Sequence, residues 1–336
     1  MRVVSTIQEV AKRAGVSAGT VSRYLNGYKL KQRNADVIEQ AIAELDYRPN
    51  LMARSLRRNR SMTIGLLINN MQNNLAMQVV AQVETEMEQN DYSILLSGFR
   101  EDRAVFEQQL RTLVSRGIDG LIMFEVPWSV DPDNDPVQEL DIPVLAINMP
   151  YDSPNVDSIL PMNRESSHEV VAKMIACGHD RIGIIAAPLH EYVSRERLGG
   201  VLDAVLEAGL PPENVHVLFG DYTPRSGRAR MAELLDFGIN AVFVCNYKMS
   251  QGALQAARER GRTIGTDLSY ACYDYYDTHE LLYPRLTTIC PPTQEMGSLA
   301  AARLLKMIDN DERGSGKRTM LPNTITWQPS IIGLKS

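Results

Sequence analysis

From Thr63 onward the chain alternates between two kinds of hydrophobic pattern, and that alternation leaves few folds open to it. Short, unbroken apolar runs (IGLLI, SILLS, GLIMF, VLAI, RIGII, AVFVC) are interleaved with amphipathic segments of helical length near 75–90, 103–116, 164–177, 196–208, 226–237, 250–260 and 295–308. A strand that is apolar on both faces must be covered on both faces, and a helix after each strand supplies the cover. The pattern therefore predicts parallel sheets flanked by helices. IGLLI opens one such stretch and IGIIA another, which predicts two halves of similar build.

The first 60 residues are of another kind. They hold 12 of the 35 Lys and Arg but only 5 of the 41 Asp and Glu, a net charge of +7, while the remainder carries −13. A basic head on an acidic body suits a chain in which only the head meets a polyanion. A charge count alone is equally compatible with a solvated face, so the helical pattern beneath it decides. Thr6-Ile7-Gln8-Glu9 forms a capping box: the threonine caps a helix and the glutamate reaches back to the first free amide. Ile7, Val10, Ala11 and Ala14 then make one apolar stripe, and Gly15 stops the helix, since it enters the left-handed conformation without a Cβ penalty. Ser17 caps a second helix with Val21 and Leu25 inside, ended by Asn26-Gly27, and Val37, Ile38, Ala41, Ile42 and Leu45 line a third. Two short helices about a glycine turn, braced by a third, make a helix-turn-helix unit whose second helix is free to enter a major groove.

The run TIQEVAKRAGVSAGTVSRYLNG, followed by YRPNLMARSL, resembles the DNA-binding head and hinge of the LacI/GalR family of bacterial repressors. IGLL (64–67), GIDGLI (117–122), GHDRIGII (178–185) and LTTI (286–289) extend the resemblance over nearly the whole chain. It implies an N-terminal all-α helix-turn-helix head (1–49), a hinge helix and linker (50–61), and an α/β body (62–336). That body resembles periplasmic sugar-binding proteins: two doubly wound subdomains, one at about 62–160 and 291–321, the other at about 161–290 and 322–336, with a ligand in the cleft.

By the same resemblance Ser17, Ala18, Gly19, Thr20, Ser22 and Arg23 occupy the start and exposed side of the recognition helix. Arg23 is the candidate for base contact, because a guanidinium reaches guanine O6 and N7 together. Thr6, Ser17, Thr20, Ser22 and Asn26 are candidate phosphate contacts, which set register. Ala18 and Gly19 stand where the family varies its specificity side chains and are too small for bidentate readout, which shifts the expectation to methyl contacts and DNA shape. Gly19 reads equally well as a permissive helix residue. Lys31-Gln32 departs from the family's usual Ser cap of the third helix. In the hinge, Asn50 caps a short helix over Leu51–Arg58, too short to be stable alone, and Leu56, beside Ala53, matches the leucine that wedges into the minor groove at the operator centre. Without the resemblance Leu56 reads as a packing residue.

Sheets of this kind bind ligands outside the carboxyl ends of their strands. Residues there are Asn70 and Asn73 after the first strand, Asn148 after VLAI, and Asn246 after AVFVC. The resemblance adds Arg197, which matches an arginine that clamps effectors, Tyr222, which stands at an aromatic that stacks on them, and Asp274, which matches an acidic residue that accepts sugar hydroxyls. A planar Arg, a carboxylate, amides and an aromatic face suit a polyhydroxylated ring. Asp is absent where the family often has it, at Asn148, Met162 and Tyr247, while Lys248 appears. Fewer carboxylates favour an anionic ligand, so the expected effector is a sugar acid or phosphosugar over a neutral sugar.

No HExxH, GxSxG or Walker loop is present, and Gly314-Ser315-Gly316-Lys317 lacks the upstream glycine of a phosphate loop and fits a turn before a strand near 319–326. Cys177, Cys245, Cys272 and Cys290 form no C-x-x-C, which fits a reducing cytoplasm and neither a disulfide framework nor a zinc site. His179 reads as structural, and 131–141 (DPDNDPVQELD) as a solvated excursion. No stretch has the length and apolarity of a signal peptide or membrane span. No metal, cofactor or enzymatic activity is expected. The partners expected are a pseudo-palindromic operator in double-stranded DNA, a small-molecule effector and a second copy of the chain in a homodimer, with no appended tetramerisation helix. Two rivals stay open: a body that binds a protein co-regulator, and a sugar-modifying enzyme with a fused head.

Overall fold

A computed structural model describes residues 5–25, 28–47, 60–126, 135–273 and 284–334. The chain divides into a unit of residues 1–62 and one of 63–336.

The first unit is built by its caps. Helix α1 (Ile7–Ala14) starts at Thr6, whose Oγ1 accepts the amide of Glu9 (3.3 Å), while the Glu9 carboxylate accepts the Thr6 amide (2.7 Å). It stops at Gly15, at φ 65°. Helix α2 (Ala18–Leu25) begins at Ser17, whose Oγ accepts the amide of Thr20 at 3.2 Å. Helix α3 (Gln32–Glu44) starts directly after Lys31, which offers no side-chain cap; the Gln32–Asp36 side-chain bond at 2.8 Å stiffens its first turn instead. Val10, Ala11, Val21, Ile38 and Ala41 meet as a small core.

The second unit holds two six-stranded sheets. The first contains β1 (Thr63–Ile68), β2 (Ser93–Gly98), β3 (Gly120–Phe124), β4 (Val144–Ile147) and β5 (Val156–Pro161), with helices α4 (Asn74–Gln89) and α5 (Arg103–Ser115) between them. The second contains β6 (Ile182–Ala186), β7 (Val215–Phe219), β8 (Ala241–Val244), β9 (Ser269–Tyr273) and β10 (Thr287–Cys290), with α6 (Asn163–Ala176), α7 (Tyr192–Glu207), α8 (Pro224–Asp236) and α9 (Tyr247–Glu259). The chain then returns through α10 (Thr293–Asn310) to β11 (Arg318–Leu321) in the first sheet and β12 (Thr324–Thr326) in the second. Strand orders are β11-β5-β4-β3-β1-β2 and β12-β10-β9-β8-β6-β7, parallel throughout except for β12, which runs antiparallel to β10. The stretch expected as one strand near 319–326 is thus two strands in different sheets. Pro322 and Asn323 break it, because proline cannot donate to a ladder.

The similarity of the halves extends to their packing. Gly65 on β1 faces the side chains of Ile118, Leu113 and Leu121, and Gly183 on β6 faces those of Ile239 and Leu234. A Cβ at either glycine would fall within 2.8 Å of an isoleucine methyl, so the shared I-G opening lets α5 and its following loop settle on the first sheet, and α8 and its following loop on the second. Most helices of the body begin one to four residues earlier than the apolar periodicity predicts, α7 at Tyr192 and not near 196, while α5 begins at Arg103 as expected.

Two expectations about loops resolve differently. The stretch 131–141 is not wholly a solvated excursion: among its described residues Asp135 and Val137 are buried, Asp135 accepting the Tyr151 hydroxyl at 2.7 Å and Val137 joining the first sheet's core. Gly314–Lys317, expected as a turn, is an irregular loop between α10 and β11. It wraps the buried Asp157 carboxylate, which accepts the amides of Ser315 (2.7 Å) and Lys317 (3.0 Å). His179 is structural as well, buried with Nε2 2.8 Å from the Ile332 carbonyl and 2.7 Å from Ser269 Oγ.

Candidate functional site

In the head, α2 turns Val21 into the core and its polar residues outward. Ser17, Ala18, Gly19 and Arg23 are exposed, Thr20 and Ser22 partly so. Ser17 Oγ and Thr20 Oγ1 lie 2.9 Å apart at the start of the helix, beside the amides that an N-terminus presents to an anion. Thr6 is different, since its hydroxyl already donates to Glu9 at 3.1 Å, so a phosphate there would compete with the capping box. Asn26, Asn50, Ala53 and Leu56 lie outside the described residues.

In the body, a cleft lined by polar and charged side chains opens between the carboxyl ends of the two sheets, a place where such sheets take small molecules. The first sheet contributes Asn69, Asn70 and Asn73 after β1, Glu101 after β2, Glu125 after β3 and Asn148 after β4. The second contributes Glu191, Val193 and Arg197 after β6, Tyr222 after β7, and Asn246, Tyr247 and Lys248 after β8. In each sheet the strand order reverses at β1 or β6, the topological switch point where doubly wound sheets hold ligands. Six of the sequence candidates (Asn70, Asn73, Asn148, Arg197, Tyr222 and Asn246) are brought together here; the seventh, Asp274, lies outside the described residues.

Each side chain is held by a local device. Asn73 and Asn246 are helix N-caps: Asn73 Oδ1 accepts the amides of Leu75 and Ala76, and Asn246 Oδ1 those of Lys248 and Met249, which fixes both amides at the cleft edge. Arg197 is buried on α7, with Nη1 donating to the Cys245 carbonyl (2.6 Å), Nε to Asn163 Oδ1 (3.3 Å), and the guanidinium 3.7 Å over the Tyr273 ring. The Tyr222 hydroxyl donates to Glu191. Asn148 Nδ2 donates to Glu125 Oε1 at 2.5 Å and Asn73 Nδ2 to Glu125 Oε2 at 2.9 Å. Asn148 Oδ1 is buried and has no hydrogen-bond partner among the described residues.

The backbone here is strained. Glu101, Glu125, Asn148 and Tyr222 have φ of 58°, 53°, 64° and 62°, the left-handed region that costs a non-glycine residue about 1–3 kcal/mol and collects at functional sites. The charges are also out of balance. Burial, then the nearby Glu191, pushes the Glu125 carboxyl from 4.5 up to about 7, against the lowering effect of the Asn148 bond, Arg197 and the Asn73 bond. Burial raises Glu191 too, and burial with Glu191 beside it holds the Tyr222 phenol well above its ordinary range.

This corrects the expectation of a cleft poor in carboxylates. The aspartates absent at 148, 162 and 247 are replaced by Glu101, Glu125 and Glu191, supplied from other loops, so the argument for an anionic ligand loses its premise. Sequence reasoning missed these three because an isolated Glu in a loop reads as solvated. Glu125 sits directly past the carboxyl end of the fully apolar β3, and that position was the one available signal.

Among the described residues no helix is long and apolar enough to cross a membrane. Residues 6–50 match the family described as bacterial regulatory proteins, lacI family, and residues 171–331 the periplasmic binding protein-like domain. The chain is 30% identical over 335 residues to the ribose operon repressor of Haemophilus influenzae, covering 99% of this chain and 100% of that protein. It is 29% identical to the HTH-type transcriptional repressor PurR of Actinobacillus pleuropneumoniae, over 98% of this chain and 97% of that one. The lac repressor dimer bound to operator and the anti-inducer ONPF superposes with a TM-score of 0.83 at 26% identity, covering 98% of this chain and 99% of that chain.

Proposed function

We propose a function on the premise that this chain belongs to the lacI family of bacterial regulatory proteins: it is a DNA-binding transcription repressor whose body binds a small-molecule effector. The observation that carries the effector half is the cleft itself, where both sheets direct amides, carboxylates, Arg197 and Tyr222 into one volume at their switch points. That constellation fits a polyhydroxylated ring. The ribose operon in one relative's printed name agrees with a sugar as the ligand class.

The head (1–49) reads a half-site with α2. Arg23 contacts base edges, and Ser17, Thr20, Ser22 and Asn26 contact phosphates. The hinge (50–61) orders on DNA with Leu56 as its wedge, and two copies of the chain read the halves of a pseudo-palindrome in the cytoplasm. Ligand in the cleft shifts one half of the body (62–336) against the other and changes how well the hinges order. Coupling of this kind needs only about 1–3 kcal/mol. The relatives are regulators, and this chain acts by binding, without turnover of its effector.

The experiment is a thermal-shift screen of the full chain against neutral sugars, amino sugars, sugar acids, sugar phosphates and nucleobases, followed by operator binding with and without each hit. A ligand at a hundred times its Kd adds about 2.7 kcal/mol of stability. A hit lost on Arg197→Ala that also changes operator affinity supports the reading. A hit that survives Arg197→Ala and leaves DNA binding untouched overturns it.

A further inference from the structure

Among the described residues the cations of the cleft are engaged with protein acceptors, while Glu125 and Glu191 accept hydrogen bonds only from neutral donors; Glu101 has the His190 ring 3.9 Å away. Arg197 donates to Cys245 and Asn163 and stacks on Tyr273. Lys248 Nζ donates to the Gln72 carbonyl at 3.1 Å, across the cleft from its own sheet. Glu125, by contrast, accepts two amides, from Asn73 and Asn148, and Glu191 accepts the Tyr222 phenol. Arg197 acts on both glutamates through space and His190 on Glu191, and neither offsets burial and the neighbouring carboxylates: burial, then Glu191, pushes Glu125 up to about 7, and burial with Glu101 raises Glu191. A half-buried pair of carboxyls with no described cation hydrogen-bonded to it is costly to ionise together, and closing the cleft around a ligand removes the water that still screens it.

We propose that the effector supplies this charge: an amine-bearing polyol, an amino sugar in its ammonium form, whose nitrogen sits between Glu125 and Glu191. The inference rests on the effector-cleft reading and names the ligand class for that site. An ammonium group satisfies both carboxylates at once. A neutral sugar leaves Glu125 holding its proton and gives Glu191 no counter-charge. A sugar acid or phosphosugar adds a third negative charge to the same volume. The amides at Asn73, Asn148 and Asn246 remain for hydroxyls, and the unpartnered Asn148 Oδ1 accepts one of them. Binding also moves a proton. With the ammonium in place Glu125 is held ionised, so its proton leaves to solvent.

The test uses the full chain at pH 6 with matched triplets: glucosamine, glucose and gluconate, then the galactose and mannose series. Thermal shift finds the binding triplet, and calorimetry in two buffers of different ionisation enthalpy counts protons. In the binding triplet the amine is expected to bind about tenfold or more tighter than its neutral partner, with release of close to one proton per site. Glu125→Gln is expected to abolish both the preference and the release while the protein stays folded. A neutral or acidic member that binds tightest, or an amine that binds without proton release, overturns the proposal. Silence from every triplet while nucleobases bind overturns it and leaves the effector cleft standing; silence from all of them removes the cleft reading as well.

Discussion

Replacing Gly227 by alanine probes how α8 and α9 hold the second wall of the cleft. A Cβ at Gly227 would fall 1.9 Å from the Met249 carbonyl oxygen, and one at Gly252 would fall 1.7 Å from that of Pro224. Real Cβ atoms do not approach closer than 3.0 Å, so alanine at Gly227 drives the two helices at least 1.1 Å apart. The obstruction is backbone on both sides, and no rotamer relieves it. Overpacking costs about 1–3 kcal/mol, whereas an unobstructed glycine-to-alanine change inside a helix gains about 1 kcal/mol. With backbone as the obstacle, a net loss of about 2 kcal/mol is expected, which lowers Tm by about 4 °C for a domain of this size. The double variant Gly227→Ala/Gly252→Ala is expected to lose less than the sum of the singles, because both demand the same separation. Urea titration followed by circular dichroism reads all three. Tyr222 immediately precedes α8 and Asn246 caps α9, so effector affinity is expected to fall along with stability. A Gly227→Ala protein that is as stable as wild type, or more so, would refute the close-packing argument.

Thr6→Ala removes the capping box and is expected to destabilise the head by about 1 kcal/mol, read as a lower first transition in thermal melts. Arg23→Ala is expected to flatten base preference at one half-site position, measured by anisotropy over an operator library; a loss equal for every sequence would reassign it to phosphate. Leu56→Ala is expected to weaken specific binding far more than non-specific binding, and equal losses would remove the wedge role. The folded-state pKa of Glu125 lies above its unfolded value, so the stability it contributes is present below pH 4.5 and is lost as pH rises through about 7, a swing of roughly 3 kcal/mol. Glu125→Gln is expected to flatten that slope and to be the more stable protein at pH 8. A wild-type stability that does not fall relative to the variant between pH 5 and 8 would contradict the buried position of this carboxyl.

The strands buried on both faces were legible because nothing polar interrupts them, as in β3, β4 and β8. Strand β5 was harder: Asp157 breaks its apolar run, and its carboxylate is satisfied by a loop about 160 residues further along, which no local pattern contains. At the edge of its sheet, β7 (VHVLF) carries a histidine that stacks on Phe237, so it reads as mixed. The caps of α1 and α2 were legible because capping is a relation among four neighbouring residues. Glu125 and Glu191 were not, since their meaning arises only when two loops 66 residues apart face each other across the cleft.

The split of residues 318–326 between the two sheets bears on how the protein is made. β11 is the outer strand of the first sheet, β12 that of the second, and α10 places Leu304 and Ile308 against Gly120 in the first. A ribosome delivers roughly 5–20 residues per second, so the first sheet waits for its covering helix and last strand while the whole second half is synthesised. During that interval β5 presents an unpaired edge and the site for α10 is bare, a surface open to chaperones or to pairing with another nascent chain. Destabilising changes in α10 or β11 should therefore lower the yield of folded protein in cells by more than their equilibrium cost implies, and slower growth temperatures should restore it.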